Sequence, residues 1–182
     1  MFLSDVDIEK GVKSGDIILD PFSLEQLQPA SYDIRLGNTF IINDPHSVQA
    51  IDLTKGVLPK THTIEVADGE EFVLHPGVSI LGYTKEQFGS DHYLIELNGK
   101  SSLARIGLIV HNSASIVNPG HVLHMALELC NLNNVPIVLR PNMQIAQLTF
   151  STLSSPTKQS YAATGRYNAD NVAGYKPPKK PQ

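Results

Sequence analysis

Short apolar runs separated by turn-forming residues occupy most of the chain. Runs of strand length lie at about 38–43, 63–66, 71–74, 78–84, 93–97, 107–112, 122–131, 136–139 and 144–151. Gly, Pro, Asn or Asp separates them every roughly 8–12 residues, and no long segment with a period of 3.6 residues interrupts them. This pattern predicts a mainly β fold, an antiparallel sandwich or barrel.

The first 37 residues add one helix and one further strand to this pattern. Ser4, with an acidic residue three positions later, is typical of a helix N-cap, and the predicted helix ends at Gly11 or Gly15. From Tyr32 to Leu36, apolar side chains alternate with polar ones until Gly37, which predicts a strand that ends at this glycine.

A length of 182 residues is typical of a single domain. We predict a β domain over residues 1–156 and a C-terminal segment over 157–182 that has lost its apolar period. This segment is expected to be mobile when nothing is bound. Its last seven residues, 176–182, are basic and rich in proline, and we interpret them as a solvated end.

Composition excludes several classes of protein. Because Cys130 is the only cysteine, the chain has neither an intrachain disulfide nor a Cys-x-x-Cys zinc site. A net charge of −4 disfavours nucleic-acid binding. The absence of a long apolar run or a secretory signal predicts no membrane segment and a cytoplasmic location. The charged fraction of 18% is low and hints at a surface buried in an oligomer.

A first group of chemically capable residues follows the run that ends near residue 97. Ser101 or Ser102 is placed to cap a short helix closed by Gly107, with Ser101 and Arg105 on one helical face. Together with Lys100, these side chains would hold a phosphate chain. The spacing fits an ordinary capped turn with surface charges equally well.

A second group lies on the run from 122 to 131. As a strand, this run places His124, Ala126, Glu128 and Cys130 on one face and its large apolar residues on the other. Glu128 is then a mid-strand carboxylate in an apolar stretch, a position suited to a general acid or base. A carboxylate on a solvated sheet face is the commoner arrangement.

A third group spans the turn from 111 to 120. Ser113, Ser115 and Asn118 could bind a base or a sugar there. Ordinary turn chemistry explains the same residues and is the better interpretation of this segment taken alone.

Five segments together resemble the successive motifs of the dCTP deaminase/dUTPase family, in the family's order, over about residues 1–170. The segments are 28–37, 99–108, 118–120, 127–129 and 143–148. The resemblance implies a distorted β-barrel or jelly-roll that works as a homotrimer, with active sites between subunits and Mg²⁺ bound to the triphosphate of the substrate.

The resemblance also implies roles for individual residues. It places Ser101, Ser102 and Arg105, preceded by Lys100, on the phosphates, and it identifies Glu128 as the residue that marks the deaminase branch. Candidate nucleotide contacts in a closing C-terminal lid are Tyr161, Arg166 and Tyr167.

A chain with one cysteine cannot supply the zinc site of the metal-dependent nucleobase deaminases, so a zinc-free mechanism is expected. Glu128 would take a proton from a water held by the Ser101 hydroxyl and the Ala114 carbonyl and deliver it to N3 of cytosine. Hydroxide would then attack C4 and expel ammonia. Arg105 would help to hold Glu128 and the phosphates.

Four positions depart from the family pattern. Asn118 stands where most relatives carry an aspartate that holds the hydrolytic water in dUTPases, and Ser115, Ile116 and His121 also differ. Because an amide cannot act as a base, the sequence favours conversion of dCTP to dUTP. The alternatives are a bifunctional deaminase and diphosphatase that yields dUMP, a dUTPase, and a non-catalytic nucleotide-binding relative.

Overall fold

Twelve strands, three short α-helices and one 3₁₀ helix form the part of the chain that the computed structural model describes, residues 1–167. The strands are β1 (Ile18–Asp20), β2 (Leu27–Gln28), β3 (Ser31–Asn43), β4 (Thr61–Glu65), β5 (Phe72–Leu74), β6 (Ser79–Ser90), β7 (Tyr93–Gly99), β8 (Leu108–Ile109), β9 (Ile116–Val117), β10 (His121–Asn131), β11 (Ile137–Leu139) and β12 (Gln144–Thr152). The helices are α1 (Asp5–Ser14), α2 (Ser101–Arg105), α3 (Tyr161–Thr164) and the 3₁₀ helix Leu24–Gln26.

Ten of these strands form one curled antiparallel sheet, a half-barrel. Its order is β8-β10-β6-β3-β12-β7-β9, with β1 paired to β6 and with β2 and β4 paired to β3. β5 and β11 form a separate two-stranded sheet. The prediction of a mainly β, barrel-like fold with short helices near the N-terminus and near residue 101 is confirmed.

The concave side of the sheet holds the core. Alternate side chains of the long strands point inward, and the largest fully buried ones include Tyr32, Phe40, Phe88 and Phe150. On β10 the inward series runs from Leu123 to Leu129, as the alternation predicts, which leaves the Glu128 side of the strand facing outward.

β3 is longer than the alternation pattern predicts. The expected stop at Gly37 is wrong, because the strand continues through this residue to Asn43 and exchanges its partner β12 for β4. A Cβ at Gly37 would lie 3.0 Å from the Tyr83 carbonyl oxygen, so the glycine permits a close approach between strands β3 and β6.

Other boundaries also differ from the sequence pattern. α1 begins after Ser4, whose hydroxyl accepts from the Asp7 amide, and ends at Gly15 rather than Gly11. The predicted run 107–112 forms only the two-residue strand β8. Residues 110–115 leave the sheet because they connect β8, at one end of it, to β9, at the other. This connection links the two end strands of the curled sheet, which do not pair with each other.

Among the helices within residues 1–167, none is long and apolar enough to cross a membrane.

Candidate active site

α2 presents the predicted phosphate-binding side chains. Its N-cap is Lys100, whose side chain makes no capping bond, so the prediction that Ser101 or Ser102 caps the helix is wrong. Both serines instead lie on its first turn and, like Arg105, are exposed. Their hydroxyls and the Arg105 guanidinium make no hydrogen bond within residues 1–167. These donors are available to a ligand.

The C-terminal end of α2 is tied to the link between β10 and β11. The Leu132 amide donates to the Gly107 carbonyl at 2.9 Å, and the Asn133 side-chain amide donates to the Ile106 carbonyl at 3.0 Å. The helix therefore has little freedom to shift relative to the strand that carries Glu128.

Glu128 lies on the outer face of β10, half-buried, and contacts the connection between β8 and β9. Its Oε2 accepts from the Asn112 amide at 3.1 Å. The next residue, Ser113, has a left-handed backbone with φ of 62°, and its hydroxyl donates to the Asn112 carbonyl at 2.6 Å. Ala114 follows on the exposed crest of this loop. The hydrogen bond from Asn112 thus brings Glu128 to the start of the loop that carries Ser113 and Ala114.

Asn118 lies in the turn that leads into β10. Its carbonyl accepts from the His121 amide at 3.1 Å, and its side chain is exposed. Gly120, in the same turn, has φ of 85° and donates its amide to the Ser90 carbonyl at 2.8 Å. Asn118, which departs from the family pattern, therefore presents its side-chain amide to solvent in this turn.

The C-terminal segment folds back on this turn. The Tyr161 ring stacks on His121 with centroids 4.1 Å apart, and the Tyr161 amide donates to the Pro119 carbonyl at 3.0 Å. Arg166 and Tyr167 follow α3. Ligand-dependent ordering of this segment stays a prediction, and the basic tail 176–182 lies outside the described residues.

Two residues that the sequence analysis did not single out contact the start of α2. Oδ1 of Asp33 lies 2.6 Å from the Lys100 ammonium. The Gln147 side-chain amide donates to the Gly99 carbonyl at 3.2 Å and accepts from the Ser31 hydroxyl at 2.9 Å. Asp33 lies in segment 28–37 and Gln147 in segment 143–148, two of the segments that carry the family resemblance. Membership of these segments could have indicated both residues as part of the site.

A second buried ion pair lies beside the first. The fully buried Glu86 carboxylate accepts from Arg35 Nε at 2.6 Å, from the Arg35 backbone amide at 2.7 Å and from the Gln26 side chain at 3.1 Å. The same Gln26 amide donates to the Asp33 carbonyl at 2.7 Å. A buried carboxylate that is fully hydrogen-bonded and paired fixes its neighbours in one arrangement.

The predicted catalytic residues are not all in contact within the described part of one chain. Within residues 1–167, no ion pair or hydrogen bond links Arg105 or Ser101 to Glu128. The expected contact between Arg105 and Glu128 is therefore not formed inside a single chain.

Comparison with known proteins gives a consistent set of relatives. A family model described as dCTP deaminase-like matches residues 2–153. A protein of Corynebacterium efficiens named "dCTP deaminase, dUMP-forming" is 42% identical over 164 residues, which cover 90% of this chain and 85% of the relative. A protein of Tropheryma whipplei with the same name is 44% identical over 164 residues, covering 90% of this chain and 84% of the relative.

Among solved structures, the 2'-deoxycytidine 5'-triphosphate deaminase of Agrobacterium tumefaciens superposes with a TM-score of 0.64 at 21% identity. The match covers 84% of this chain and 48% of that one, so this chain spans about half the length of that structure. The superposition shows that the two proteins share a fold.

Proposed function

Since the chain belongs to the dCTP deaminase-like family, we propose that it is a hydrolase that deaminates dCTP and then releases dUMP. The observation that carries the deamination step is Glu128, placed by the Asn112 amide against the loop that contains Ala114. The dUMP product replaces the dUTP favoured by the sequence analysis, because relatives at 40–44% identity are named dUMP-forming.

Glu128 is suited to move the proton in the deamination step. Its Oε2 is held by the Asn112 amide, whereas its Oε1 makes no hydrogen bond within residues 1–167 and can accept a proton from water. The proton passes to N3 of the cytosine while the water oxygen bonds to C4. The second proton of the water then passes from the C4 hydroxyl to the amino nitrogen, and cleavage of the bond between C4 and that nitrogen releases ammonia and leaves the C4 carbonyl of uracil. The Ser101 hydroxyl and the Ala114 carbonyl are the groups we propose to hold the water.

We propose that Ser102, Arg105 and Lys100 surround the triphosphate, with Arg105 and Lys100 supplying positive charge and Ser102 a hydroxyl donor. No group of three or more His, Cys, Asp or Glu side chains in the described part of the chain is placed to hold a metal ion. We therefore propose that Mg²⁺ arrives on the triphosphate, where it neutralises phosphate charge. Tyr161, Arg166 and Tyr167 would close over the nucleotide.

A homotrimer would bring the separated residues together. Arg105 and Glu128 make no contact within the described part of one chain, so we propose that Arg105 of one subunit completes the site around Glu128 of the next.

The second step depends on the Asn118 turn. The exposed amide can accept a hydrogen bond from a sugar hydroxyl or orient a water, but it cannot remove a proton. Hydrolysis of dUTP is therefore expected to be slower than deamination, so that dUTP accumulates before dUMP.

A time course with dCTP and Mg²⁺, resolved by chromatography and assayed for ammonia, tests the proposal. dUMP and pyrophosphate that follow a transient of dUTP support it. dUTP as the final product would restore the single-step deaminase, and hydrolysis of added dUTP without release of ammonia from dCTP would indicate a dUTPase. Binding of dCTP without any product would indicate a non-catalytic relative.

A further inference from the structure

We propose that Asn133 is a positioning residue for Arg105 and acts by holding the C-terminal end of α2 in place. Its side chain contacts the carbonyl of Ile106, the residue that directly follows Arg105. This inference rests on the proposed function, because it concerns how one cation of the phosphate site is oriented before the substrate binds.

The Arg105 side chain has no restraint of its own in the described part of the chain. It is exposed, and within residues 1–167 it makes neither a hydrogen bond nor an ion pair. α2 has only five residues, and so short a helix depends on contacts outside itself. The direction in which the guanidinium projects is therefore set by whatever holds the last turn of the helix.

The link between β10 and β11 holds this last turn through its backbone carbonyls. The Asn133 side-chain amide donates to the Ile106 carbonyl at 3.0 Å, and the Leu132 amide donates to the Gly107 carbonyl at 2.9 Å. Gly107 has φ of 80°, and a Cβ on it would lie 2.9 Å from the Asn133 amide nitrogen. Carbonyls at a helix C-terminus have no partner inside the helix, so the link supplies the donors that α2 lacks.

Asn133 is itself fixed by the fold. Its Oδ1 accepts from the Asn134 amide at 2.8 Å and from the Val135 amide at 3.3 Å, and its own amide donates to Oδ1 of Asn131 at 2.8 Å. Asn131 is fully buried at the end of β10, and its side-chain amide donates to the Leu74 and Val135 carbonyls, both at 2.9 Å. The link is therefore anchored in the interior at the point where it meets α2.

A separate contact holds the N-terminal end of α2. Lys100 is paired with Asp33 of β3 at 2.6 Å. An ammonium has further N–H donors, so this pair is compatible with a phosphate ligand. Because the two ends of the helix are held from different strands, loss of the Asn133 contact is expected to misplace Arg105 more than the residues of the first turn.

The substitution Asn133→Ser removes the contact with Ile106 without a change of charge. A serine hydroxyl can still accept from the backbone amides that follow it, as it does in turns, but the side chain is too short to reach the Ile106 carbonyl. Asn134→Ser is the matched control, since the Asn134 side chain is exposed and makes no hydrogen bond within residues 1–167.

Calorimetry with inorganic tripolyphosphate measures phosphate binding without deamination. Asn133→Ser should weaken this binding by about 3-fold to 10-fold, the factor that one intramolecular hydrogen bond is worth, and Asn134→Ser should bind as the wild type does. In assays with dCTP, the same factor should appear mainly in KM. Unchanged affinity for tripolyphosphate in Asn133→Ser would overturn the inference.

A double variant separates the positioning of Arg105 from a general loosening of the protein. Arg105→Ala alone should weaken tripolyphosphate binding, and addition of Asn133→Ser should then cause no further loss. A further loss equal to that of Asn133→Ser in the wild-type background would show that Asn133 does not act through Arg105, and would refute the positioning role.

Gly107→Ala disturbs the same contact from the helix side and leaves Asn133 unchanged, so it also decides the matter if Asn133→Ser does not fold. Its Cβ would press on the Asn133 amide nitrogen at 2.9 Å, which forces the helix end and the link apart. Gly15→Ala is its control, because Gly15 follows α1 with φ of 83° and has nothing within 4 Å of an added Cβ. Weaker tripolyphosphate binding in Gly107→Ala alone supports the inference, and equal binding by the two variants contradicts it.

The wild-type protein distinguishes failure of this inference from failure of the proposed function. A wild type that binds tripolyphosphate but releases no ammonia from dCTP would refute the proposed function and leave the Asn133 comparison valid. A wild type that does not bind tripolyphosphate would refute the phosphate site and the inference with it.

Discussion

The Glu128 carboxylate accepts a hydrogen bond from the Asn112 amide and is also the proposed base. The substitution Glu128→Gln separates these two roles. Glu128→Gln keeps an acceptor for the Asn112 amide but cannot take a proton. We expect ammonia release from dCTP to fall by about 10²–10⁴-fold while the fold is retained. Near-normal turnover by a variant whose circular dichroism and melting temperature match the wild type would exclude Glu128 as the base.

Tyr32 makes stability sensitive to alkaline pH. Its ring is fully buried, the Ser23 amide donates to its hydroxyl at 2.9 Å, and burial raises the pKa of Tyr32 above its ordinary value of 10.0. The neutral hydroxyl is favoured in the folded state, so this contribution to stability is complete below the unfolded pKa and is lost as pH rises through the folded pKa.

Urea unfolding of Tyr32→Phe checks this prediction. The variant should be less stable near neutral pH by about 0.5–1.5 kcal/mol, because it lacks the hydrogen bond. Above a pH of about 10, however, the midpoint of the wild type should fall faster than that of the variant. Parallel decreases for the two proteins would contradict a raised pKa at Tyr32.

At the scale of elements, the contact between α3 and the 118–121 turn depends on the absence of a side chain at Gly120. A Cβ there would lie 1.9 Å from the Ser160 hydroxyl oxygen, and the residue has φ of 85°. Gly120→Ala should therefore displace residues 160–164 and increase their hydrogen exchange. Gly69→Ala is the control, because Gly69 has φ of 90° but nothing within 4 Å of an added Cβ. Both variants incur backbone strain of about 1 kcal/mol. Only Gly120→Ala should also disrupt the contact between α3 and the 118–121 turn.

Sequence patterns predict the positions of the strands better than their ends and their long-range contacts. Alternation located most strands and the inward series of β10, because a half-buried strand leaves a period of two in the sequence. It placed a strand end at Gly37, where the glycine instead permits close approach of β3 and β6. The ion pair between Asp33 on β3 and Lys100 at the start of α2 joins residues distant in sequence, so no local pattern could indicate it.

At the scale of the whole molecule, shared sites predict complementation between inactive subunits. If Arg105 and Glu128 of one site come from different chains, Arg105→Ala and Glu128→Gln subunits refolded together should form some intact sites. Random mixing in a trimer gives about a quarter of the wild-type number. The mixed sample should elute at three times the 19.9 kDa of one chain. Activity no higher than that of the separate variants would mean that each chain contains a whole site.

The contacts of Gln147 have a consequence for the moment at which the site forms during synthesis. This side chain joins the Gly99 carbonyl, 48 positions earlier, to the Ser31 hydroxyl, 116 positions earlier. The ribosome synthesises these residues in order. β3, β7 and α2 are therefore made before β12, the strand that carries Gln147. A nascent chain that ends before β12 therefore has the residues of the phosphate turn without the contact that fixes Gly99, and binding of nucleotide has to await nearly the whole β domain.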